Sequence, residues 1–563
     1  MNLLRFSKFA LAVAGLACMQ ARAQYNTLVI PTVLTGTTFN LSLNVTNKQF
    51  FAGTPTVTYA YNGSPFGGPV LIMNHGDVVQ INLTNNLPNT TTTHWHGFHI
   101  PAIMDGGPHQ TIAPGKSWSP TFTVLNNAAT FWFHPHLHQQ TQKQLSLGAI
   151  GMIIVRDTQE AALALPRTYG VDDIPIAFTS RRFTATNSII TTNCAYGDYL
   201  LANGTLNAQV SLPQQFVRLR ILNAEVERSY NLGLSDNRNF YVIGTDGGLL
   251  NAPVATNRAL MAVGERLEIL LNLTTNTVGS TLDLMAYNSG QGLGFPGGEA
   301  ATSGQFGSLL NNTSFTMLHI VVAAATTNPI TSLPTALVTN TVWTTNYVVT
   351  TNRTINITGG TPGTAFTFDN LAYSPSFINQ NLKLDAIEKW TIVNNSPFSH
   401  AFHVHDIQFN LISRTGGSGS IAEYEKGWKD TFYSQQNSTV SFIAKFDTFA
   451  SSTNPFMYHC HFSNHEDEGT MAQFLVATTN VENLAVANVT RIGTNSTITI
   501  PFVATTGTTY VLQYSASFTA ESWSDIGSVT SDGTTATFNE TDTNRLAQSW
   551  GYYRVVMPVR NDQ

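Results

Sequence analysis

Histidine is concentrated in four short stretches of this chain rather than spread along it. Of the 15 histidines in the sequence, ten fall in the stretches HWH, HPH, HAFHVH and HCHFSNH, which begin at His94, His134, His400 and His459. Imidazoles crowded into one place destabilise a protein when they are charged, whereas a bound metal keeps them neutral. The four stretches therefore predict metal binding.

The spacing within the stretches indicates how the imidazoles are shared. Side chains at positions i and i+2 of a strand point to the same face, so each His-x-His unit offers two imidazoles to one centre. There are four such units: His94 and His96, His134 and His136, His403 and His405, and His459 and His461. Four pairs supply enough nitrogen donors for several metal ions.

Cys460 predicts a second, separate site. It lies between His459 and His461, so on a strand its side chain faces away from theirs. His400 has the opposite parity to the pair that follows it and can join Cys460, and His465 can arrive from the segment after the strand. Two histidines and one cysteine form the trigonal set that suits blue copper. A structural zinc site has four closed ligands and usually more cysteine.

Strands are predicted to position these residues. VQINLT places Val79, Ile81 and Leu83 on one face, and VSFIAKF does the same for the apolar residues of 440–446. Such strands, separated by turn residues, indicate stacked β-sandwiches. Residues 290–307 form a glycine-rich loop, either a lid over a substrate entrance or a plain mobile loop.

Composition limits the partners and the compartment. Charged residues make up only 11% of the 563 residues and the net charge is −6, which argues against nucleic acid, because phosphate binding needs a basic face. Residues 1–23 have the charged start, apolar run and small-residue end of a secretory signal peptide, so we expect a secreted or periplasmic protein. No later apolar run is long enough to predict a membrane span.

The four stretches, taken in order, resemble the copper motifs of multicopper oxidases of the three-domain cupredoxin type. The motifs are THWHGFHIPAIMDGGP, TFWFHPHLH, HAFHVHDIQF and HCHFSNHEDEGTM, and VRLRILNAE, VIGTDGGLL and GERLEILLNL resemble the family's copper-free middle domain. The resemblance covers residues 45–480 and implies an all-β chain of three consecutive cupredoxin-like Greek-key sandwiches. The predicted division is 1–23 signal peptide, 24–160 first domain, 161–330 copper-free second domain, 331–480 third domain with type 1 copper, and 481–563 accessory β module.

The resemblance implies four copper ions and assigns their ligands by motif position. His400, Cys460 and His465 correspond to the ligands of type 1 copper, and His94 and His403 to those of type 2 copper. The two type 3 ions correspond to two further sets: His96, His134 and His461, and His136, His405 and His459. HPHLH contains a second overlapping unit, His136 with His138, but the family's aromatic-aromatic-His-x-His pattern selects His134 and His136.

The resemblance also implies roles for three other residues. Asp105 and Glu466 match acids that supply protons for oxygen reduction. The axial residue of type 1 copper stands ten positions after the cysteine, commonly Met, and here that position is Thr470, with Met471 one residue later. Either Thr470 faces the metal or a one-residue shift brings Met471 to it. We favour Thr470, because a one-residue slip turns strand side chains to the wrong face.

The implied reaction is oxidation of a small reducing substrate coupled to four-electron reduction of dioxygen to water. An electron is expected to enter through an exposed edge of His465 and to pass from Cys460 to its neighbours His459 and His461. The 11 Met residues form no dense run, which favours phenolic or other organic donors over cuprous ion. A cuprous oxidase and a non-enzymatic scaffold of the same fold are the alternatives, and we expect a monomer.

Overall fold

Alternating apolar and polar residues build nearly all of the folded chain. The computed structural model describes residues 24–292, 294–343, 346–360, 364–417 and 419–478, together with 498–503, 509–515, 524–532, 535–546 and 552–556. Strands dominate these residues and the helices are short, which confirms the predicted all-β class. The predicted signal peptide, residues 1–23, lies outside the described residues.

The first sandwich contains ten of the first eleven strands. Strand β1 (Asn26–Thr27) belongs to the middle sandwich, and the other ten are β2 (Val33–Thr35), β3 (Thr38–Lys48), β4 (Thr56–Tyr61), β5 (Val70–Asn74), β6 (Val78–Asn85), β7 (His94–His96), β8 (Ser117–Trp118), β9 (Thr121–Thr123), β10 (Ala129–His134) and β11 (Gly151–Arg156). One sheet has the order β4-β3-β6-β8, with β9 also paired to β6, and the other has the order β2-β5-β11-β10-β7. Val79, Ile81 and Leu83 of β6 are buried between the sheets, as predicted from the alternation.

The middle sandwich follows a short helix, α2, and takes up β1. A 3-10 turn (Ala102–Met104), α1 (Thr141–Ser146) and α2 (Thr158–Ala161) precede β12 (Asp173–Arg181), β13 (Tyr199–Ala202), β14 (Thr205–Leu206), β15 (Ala208–Pro213), β16 (Phe216–Asn223), β17 (Tyr230–Leu234), β18 (Phe240–Thr245), β19 (Gly248–Thr256), β20 (Ala259–Met261), β21 (Arg266–Asn272), β22 (Thr281–Tyr287) and β23 (Ser314–Ala323). The sheets have the orders β14-β13-β12-β16-β21-β18-β19 and β1-β15-β23-β22-β17-β20.

The third sandwich carries two of the four histidine stretches. Its strands are β24 (Thr351–Thr358), β25 (Thr367–Phe368), β26 (Gln380–Lys383), β27 (Ala386–Asn394), β28 (His400–Val404), β29 (Asn410–Gly416), β30 (Thr431–Ser434), β31 (Ser438–Phe446), β32 (Ser451–Cys460) and β33 (Met471–Ala477), with a 3-10 turn at Glu423–Lys426 and α3 at Ser463–Glu468. The sheets have the orders β25-β24-β27-β31-β29 and β26-β33-β32-β28-β30.

A small group of strands follows the third sandwich. It contains β34 (Ile498–Val503), β35 (Thr509–Ser515), β36 (Ser524–Thr530), β37 (Thr535–Glu540), α4 (Thr543–Leu546) and β38 (Tyr552–Val556). β34 pairs with β37, and β35 pairs with β36 and β38. These strands lie within the residues 481–563 predicted to form an accessory β module.

Two apolar clusters join the sandwiches near the histidine stretches. One packs Trp132 and Leu145 of the first sandwich against Leu222 and Ala224 of the middle one. The other packs Val263 and Phe295 of the middle sandwich against Ala401, Cys460 and Phe462 of the third. These two seams between sandwiches are therefore buried, and the second of them contains Cys460.

Candidate metal centre

Antiparallel pairing sets the histidine units side by side. In the first sandwich β7 pairs with β10, so that His94 lies opposite His134. In the third sandwich β28 pairs with β32, so that His403 lies opposite His459. Because neighbouring strands are about 5 Å apart, each pairing brings two His-x-His units to one end of a sheet.

The two sheet ends meet, and eight histidines form one buried cluster. The rings of His94 and His405 stack with centroids 3.9 Å apart, and those of His96 and His403 with centroids 3.8 Å apart. Nitrogen atoms lie within 4.8 Å of one another in three sets: His94, His403 and His405; His96, His134 and His461; and His136, His405 and His459. We call these eight residues the histidine cluster.

The nitrogens of this cluster are prepared for a metal. His94, His134 and His403 each hold one ring nitrogen, Nδ1, against a backbone carbonyl oxygen 2.9 Å away, those of Asp105, Pro135 and Asp430. Their other nitrogens, Nε2, are buried and have no hydrogen-bond partner. A buried nitrogen without a partner is costly, and a carbonyl on one side of the ring is the usual way to orient a metal-binding imidazole. The donor set therefore fits metal ions.

Cys460 lies in a separate buried site, as its strand parity predicts. Its Sγ is 3.3 Å from His400 Nδ1 and 3.7 Å from His465 Nδ1, and all three side chains are buried. Burial raises the pKa of the Cys460 thiol well above its ordinary value, so the thiolate needs a cation to compensate its charge. A sulfur with two imidazole nitrogens is the donor set of blue copper.

The chain turns back beside this site through α3. The helix ends at Gly469, whose φ of 111° requires the left-handed conformation that glycine adopts freely. The carbonyl of Thr470 then accepts a hydrogen bond of 3.0 Å from the Cys460 N–H, while Met471 is the partner of His459 in the strand register. Thr470 therefore lies beside Cys460, and its hydroxyl donates to the Phe366 carbonyl 2.8 Å away.

The acids Asp105 and Glu466 both touch the histidine cluster. Asp105 Oδ2 accepts from His405 Nδ1 at 2.7 Å, and its other oxygen lies 3.3 Å from His94 Nδ1. Glu466 accepts from the Thr141 hydroxyl at 2.7 Å and lies 3.2 Å from His136 Nδ1. Burial, with Asp467 adjacent, raises the pKa of Glu466 well above its ordinary value.

The predicted exposed edge of His465 is wrong, because the residue is only 2% exposed. The Phe366 ring lies 4.4 Å from the imidazole, centroid to centroid. Glu227 of the middle sandwich lies 4.0 Å from His465 Nε2 and accepts from Asn464 at 2.7 Å. The sequence could not show this cover, because Glu227 and Asn464 are 237 residues apart.

The glycine-rich loop contributes to the cover. Phe295 packs in the apolar cluster that contains Cys460. Glu299 accepts a hydrogen bond of 2.7 Å from the Tyr196 hydroxyl, and the same hydroxyl lies 2.8 Å from Glu227. These residues of the loop are therefore packed against the Cys460 side of the middle and third sandwiches.

Histidines outside the metal sets make ordinary contacts. The His138 ring packs against Tyr373 with centroids 4.9 Å apart, and His138 belongs to none of the metal sets. His75 and His109 bond to Asn126 and Gln473, and His99 and His319 pair with Asp406 and Asp283. Asp430, by contrast, was not predicted from the sequence, although it reaches His96 Nε2 at 3.1 Å. Its position in GWKDTF, directly before the strand β30 that pairs with β28, was the available signal.

Without metal, the protein is expected to lose stability in mild acid. Burial lowers the pKa of His405 to about 4 and that of His465 to about 3, and it lowers the pKa of seven others in the two sites. The unfolded chain, with histidine pKa values of about 6.5, therefore binds more protons than the folded chain. Below about pH 6.5 the free energy of unfolding should fall by about 1.4 kcal/mol per pH unit for each histidine that stays neutral. Urea unfolding of metal-free protein at about pH 7.5 and about pH 5.5 measures this, and equal stability at the two values would contradict it.

Comparisons with known proteins agree with this geometry. Family models described as multicopper oxidase match residues 40–160 and 348–480. The multicopper oxidase mco of Staphylococcus aureus is 29% identical over 446 residues, 78% of this chain and 88% of that protein. The cell division protein FtsP of Proteus mirabilis is 30% identical over 431 residues, 75% of this chain and 86% of that protein. The structure of a laccase-like multi-copper oxidase, CueO, from Ochrobactrum sp. is similar with a TM-score of 0.70 and 28% identity, covering 80% of this chain and 100% of that one. Among the described residues, no helix has the length and apolar character to cross a membrane.

Proposed function

Because the chain belongs to the multicopper oxidase family, we propose that it is a laccase-like enzyme that oxidises small organic donors and reduces dioxygen to water. One observation carries the proposal. The tripeptide His459–Cys460–His461 presents its cysteine to the site formed with His400 and His465, and it presents its two histidines to the histidine cluster. A single tripeptide thus joins a site suited to one-electron oxidation with a site suited to several metal ions.

The proposed ligands follow the donor sets. His400, Cys460 and His465 would hold type 1 copper. His94 and His403 would hold type 2 copper, and the type 3 pair would be held by two sets of three: His96, His134 and His461, and His136, His405 and His459. When bound, four copper ions would supply the one-electron oxidation of the donor and the four-electron reduction of dioxygen.

The protein's own residues would prepare the sites for this chemistry. Backbone carbonyls fix the tautomers of His94, His134 and His403 so that a neutral nitrogen faces inward. Glu466 and Asp105, which lie beside histidines of the cluster, would relay protons for the reduction of dioxygen. The covalent path from Cys460 to both neighbouring histidines keeps the two sites at a fixed short separation, which favours electron transfer between them.

Aromatic surroundings support an organic donor. The rings of Phe366, Phe398 and Phe462 surround His465 at centroid distances of 4.4, 6.2 and 5.2 Å. Flat apolar donors pack well against such rings, whereas cuprous ion prefers thioether and thiolate ligands. The Ochrobactrum enzyme named above is described as having oxidase activity towards lignin model compounds and lignosulfonate.

Steady-state rates on a phenol and on Cu(I), with dioxygen consumption recorded in both assays, test the donor class. We expect a higher kcat/KM for the phenol, and a large preference for Cu(I) would establish the cuprous oxidase instead.

We further propose export to the periplasm or medium, on the signal peptide predicted at residues 1–23. Detection of the mature protein only in the cytoplasm would contradict that proposal.

A non-enzymatic scaffold is the second candidate, favoured by the similarity to the cell division protein FtsP of Proteus mirabilis. A scaffold has no need for metal ligands. Here each residue proposed as a ligand is buried and belongs to a group that could hold a metal ion, and buried nitrogens without partners would lower stability if no metal bound them. Copper content separates the two candidates.

The axial position provides a prediction about redox potential. We propose that Thr470 occupies it, so that no thioether stabilises the metal, and the potential of a blue site depends on this ligand. Thr470→Met should therefore lower the type 1 potential and slow oxidation of donors that are hard to oxidise. Met471→Leu, the matched control, should leave the potential nearly unchanged. The measurement is a redox titration of the blue absorbance, and the reverse ranking would identify Met471 as the ligand.

A further inference from the structure

We infer that Arg266, a residue of the middle sandwich, positions two histidines of the metal cluster by holding Asp430 in place. The inference rests on the proposed function, because its consequence is copper binding at the type 2 and type 3 sites. Arg266 is fully buried on β21, in the sandwich that is predicted to hold no copper. It therefore acts through another residue and is a positioning residue.

Arg266 is fixed at a junction of three sandwiches. Its Nε donates to the Thr130 carbonyl at 3.0 Å, on the strand β10 that ends at His134. One terminal nitrogen donates to the Gly264 carbonyl and the other to the Asp246 carbonyl, at 2.8 and 3.0 Å. These three hydrogen bonds fix the orientation of the planar guanidinium. They therefore also fix the direction in which its remaining two N–H groups point.

Those two N–H groups donate hydrogen bonds to the two carboxylate oxygens of Asp430. Arg266 Nη1 donates to Oδ1 at 2.8 Å, and Nη2 donates to Oδ2. Asp430 is fully buried, so without the guanidinium its negative charge would be unpaired in a medium of low dielectric constant. The bidentate pair therefore gives the buried carboxylate a charged partner and stops it from rotating.

Asp430 in turn selects which nitrogen of His96 faces the cluster. Oδ1 lies 3.1 Å from His96 Nε2, so Nε2 is the nitrogen that carries the proton and donates to the carboxylate. The other nitrogen, Nδ1, then faces inward, 3.1 Å from His461 Nε2. His94, His134 and His403 present the opposite nitrogen, Nε2, because carbonyls hold their Nδ1 atoms. The orientation of the His96 ring thus depends on a carboxylate, whereas the orientation of the other three rings depends on backbone carbonyls.

The same carboxylate reaches a second histidine through Thr431. The Thr431 hydroxyl donates to Asp430 Oδ1 at 2.9 Å and lies 3.1 Å from His403 Nδ1. The Asp430 carbonyl lies 2.9 Å from the same nitrogen. Moving Asp430 would therefore disturb His96 directly and His403 through two neighbouring groups.

The local backbone leaves room only for this arrangement. Gly97, directly after His96, has a φ of +84°, and a Cβ at this position would collide with the Asp430 carboxylate and come within 2.8 Å of Arg266 Nη2. A glycine is required where one backbone must approach a charged pair so closely. Asp430 forms a potential metal set with His96 and His403, but both of its oxygens are already engaged by Arg266, which indicates an orienting role rather than ligation.

The test compares two buried arginines of the middle sandwich in the copper-loaded protein. Arg266→Gln removes the bidentate hydrogen bonds to the Asp430 carboxylate. Arg218→Gln, the matched control, removes an equally buried arginine that pairs with Glu268 and Glu160 and has no contact with a cluster histidine among its hydrogen bonds. Asp430→Asn, which keeps the side-chain shape, is the second variant in case Arg266→Gln folds poorly. Each protein is examined for copper per chain, blue absorbance and the EPR signal of nitrogen-bound Cu(II).

We expect Arg266→Gln and Asp430→Asn to bind copper at the histidine cluster about 10- to 100-fold more weakly, as loss of an orienting partner does elsewhere. The EPR signal of nitrogen-bound Cu(II) should change while the blue absorbance per chain stays. Arg218→Gln should lower Tm and leave both spectra alone. If Arg266→Gln and Asp430→Asn both kept the wild-type copper content and the wild-type EPR signal, the positioning role of Arg266 would be overturned and the proposed function would stand. A wild-type protein that takes up no copper would overturn the proposed function and the inference together.

Discussion

Cys460→Ser is expected to abolish the blue absorbance and lower kcat for donor oxidation by about 10³-fold or more. The Sγ atom lies 3.3 and 3.7 Å from the two histidine nitrogens of its site, and a serine hydroxyl stays protonated and is a poor ligand for copper. The histidine cluster should keep its metal, because Cys460 belongs to none of its sets. Loss of oxidation with about three copper ions retained is the expected result.

Cys194→Ser is the matched control for this experiment. Cys194 is also a buried free cysteine, and its Sγ contacts only the Tyr196 carbonyl among its hydrogen bonds, at 3.4 Å. Blue absorbance and kcat should therefore survive this substitution. If Cys460→Ser kept its colour and turnover, the assignment of the type 1 site would be wrong.

Glu466→Gln should slow reoxidation by dioxygen by about 10²- to 10⁴-fold, the usual contribution of a positioned acid. The Glu466 carboxyl contacts the Thr141 hydroxyl and lies 3.2 Å from His136 Nδ1 and 3.5 Å from His459 Nδ1. A carboxyl at this position can accept and release a proton beside the cluster, whereas glutamine cannot. Reduction of the type 1 site by donor should keep its wild-type rate, because the histidines beside the Glu466 carboxyl, His136 and His459, belong to the histidine cluster.

Stopped-flow absorbance resolves the two half-reactions. Glu468→Gln is the control, since Glu468 lies on the same helix but is exposed. Asp105→Asn should slow the same half-reaction, because Asp105 contacts His405 and His94 at the opposite side of the cluster. Normal reoxidation in both Glu466→Gln and Asp105→Asn would remove these acids from the mechanism.

Much of the centre could be predicted because it depends on local rules. Strand alternation alone separated Cys460 from His459 and His461, and the structure places them in different donor sets. The parity of His400 against His403 predicted the same division. The register of β32 and β33 likewise favours Thr470 over Met471 beside Cys460. Each of these conclusions needs only the two-residue period of a strand.

The residues that escaped prediction act across long stretches of chain. Glu227 covers the His465 side of the third sandwich from the middle one, and Arg266 reaches Asp430 from 164 residues away. Glu227 lies in none of the quoted motifs, and Arg266 lies in GERLEILLNL, which resembles the copper-free domain and so indicates no metal role. A buried charge also has no periodic signature in a sequence. The sequence therefore predicts which histidines and which cysteine come together, but it predicts poorly which residues cover them and which residues orient them.

Copper content measured together with the blue absorbance, on purified chain reconstituted with copper, tests the central claim most directly. We expect about four copper ions per chain, one of them in the blue site formed with Cys460. The same sample should consume one dioxygen for about four electrons taken from a phenol. A colourless protein that retains no copper after reconstitution would contradict the claim and establish a non-enzymatic protein of the same fold.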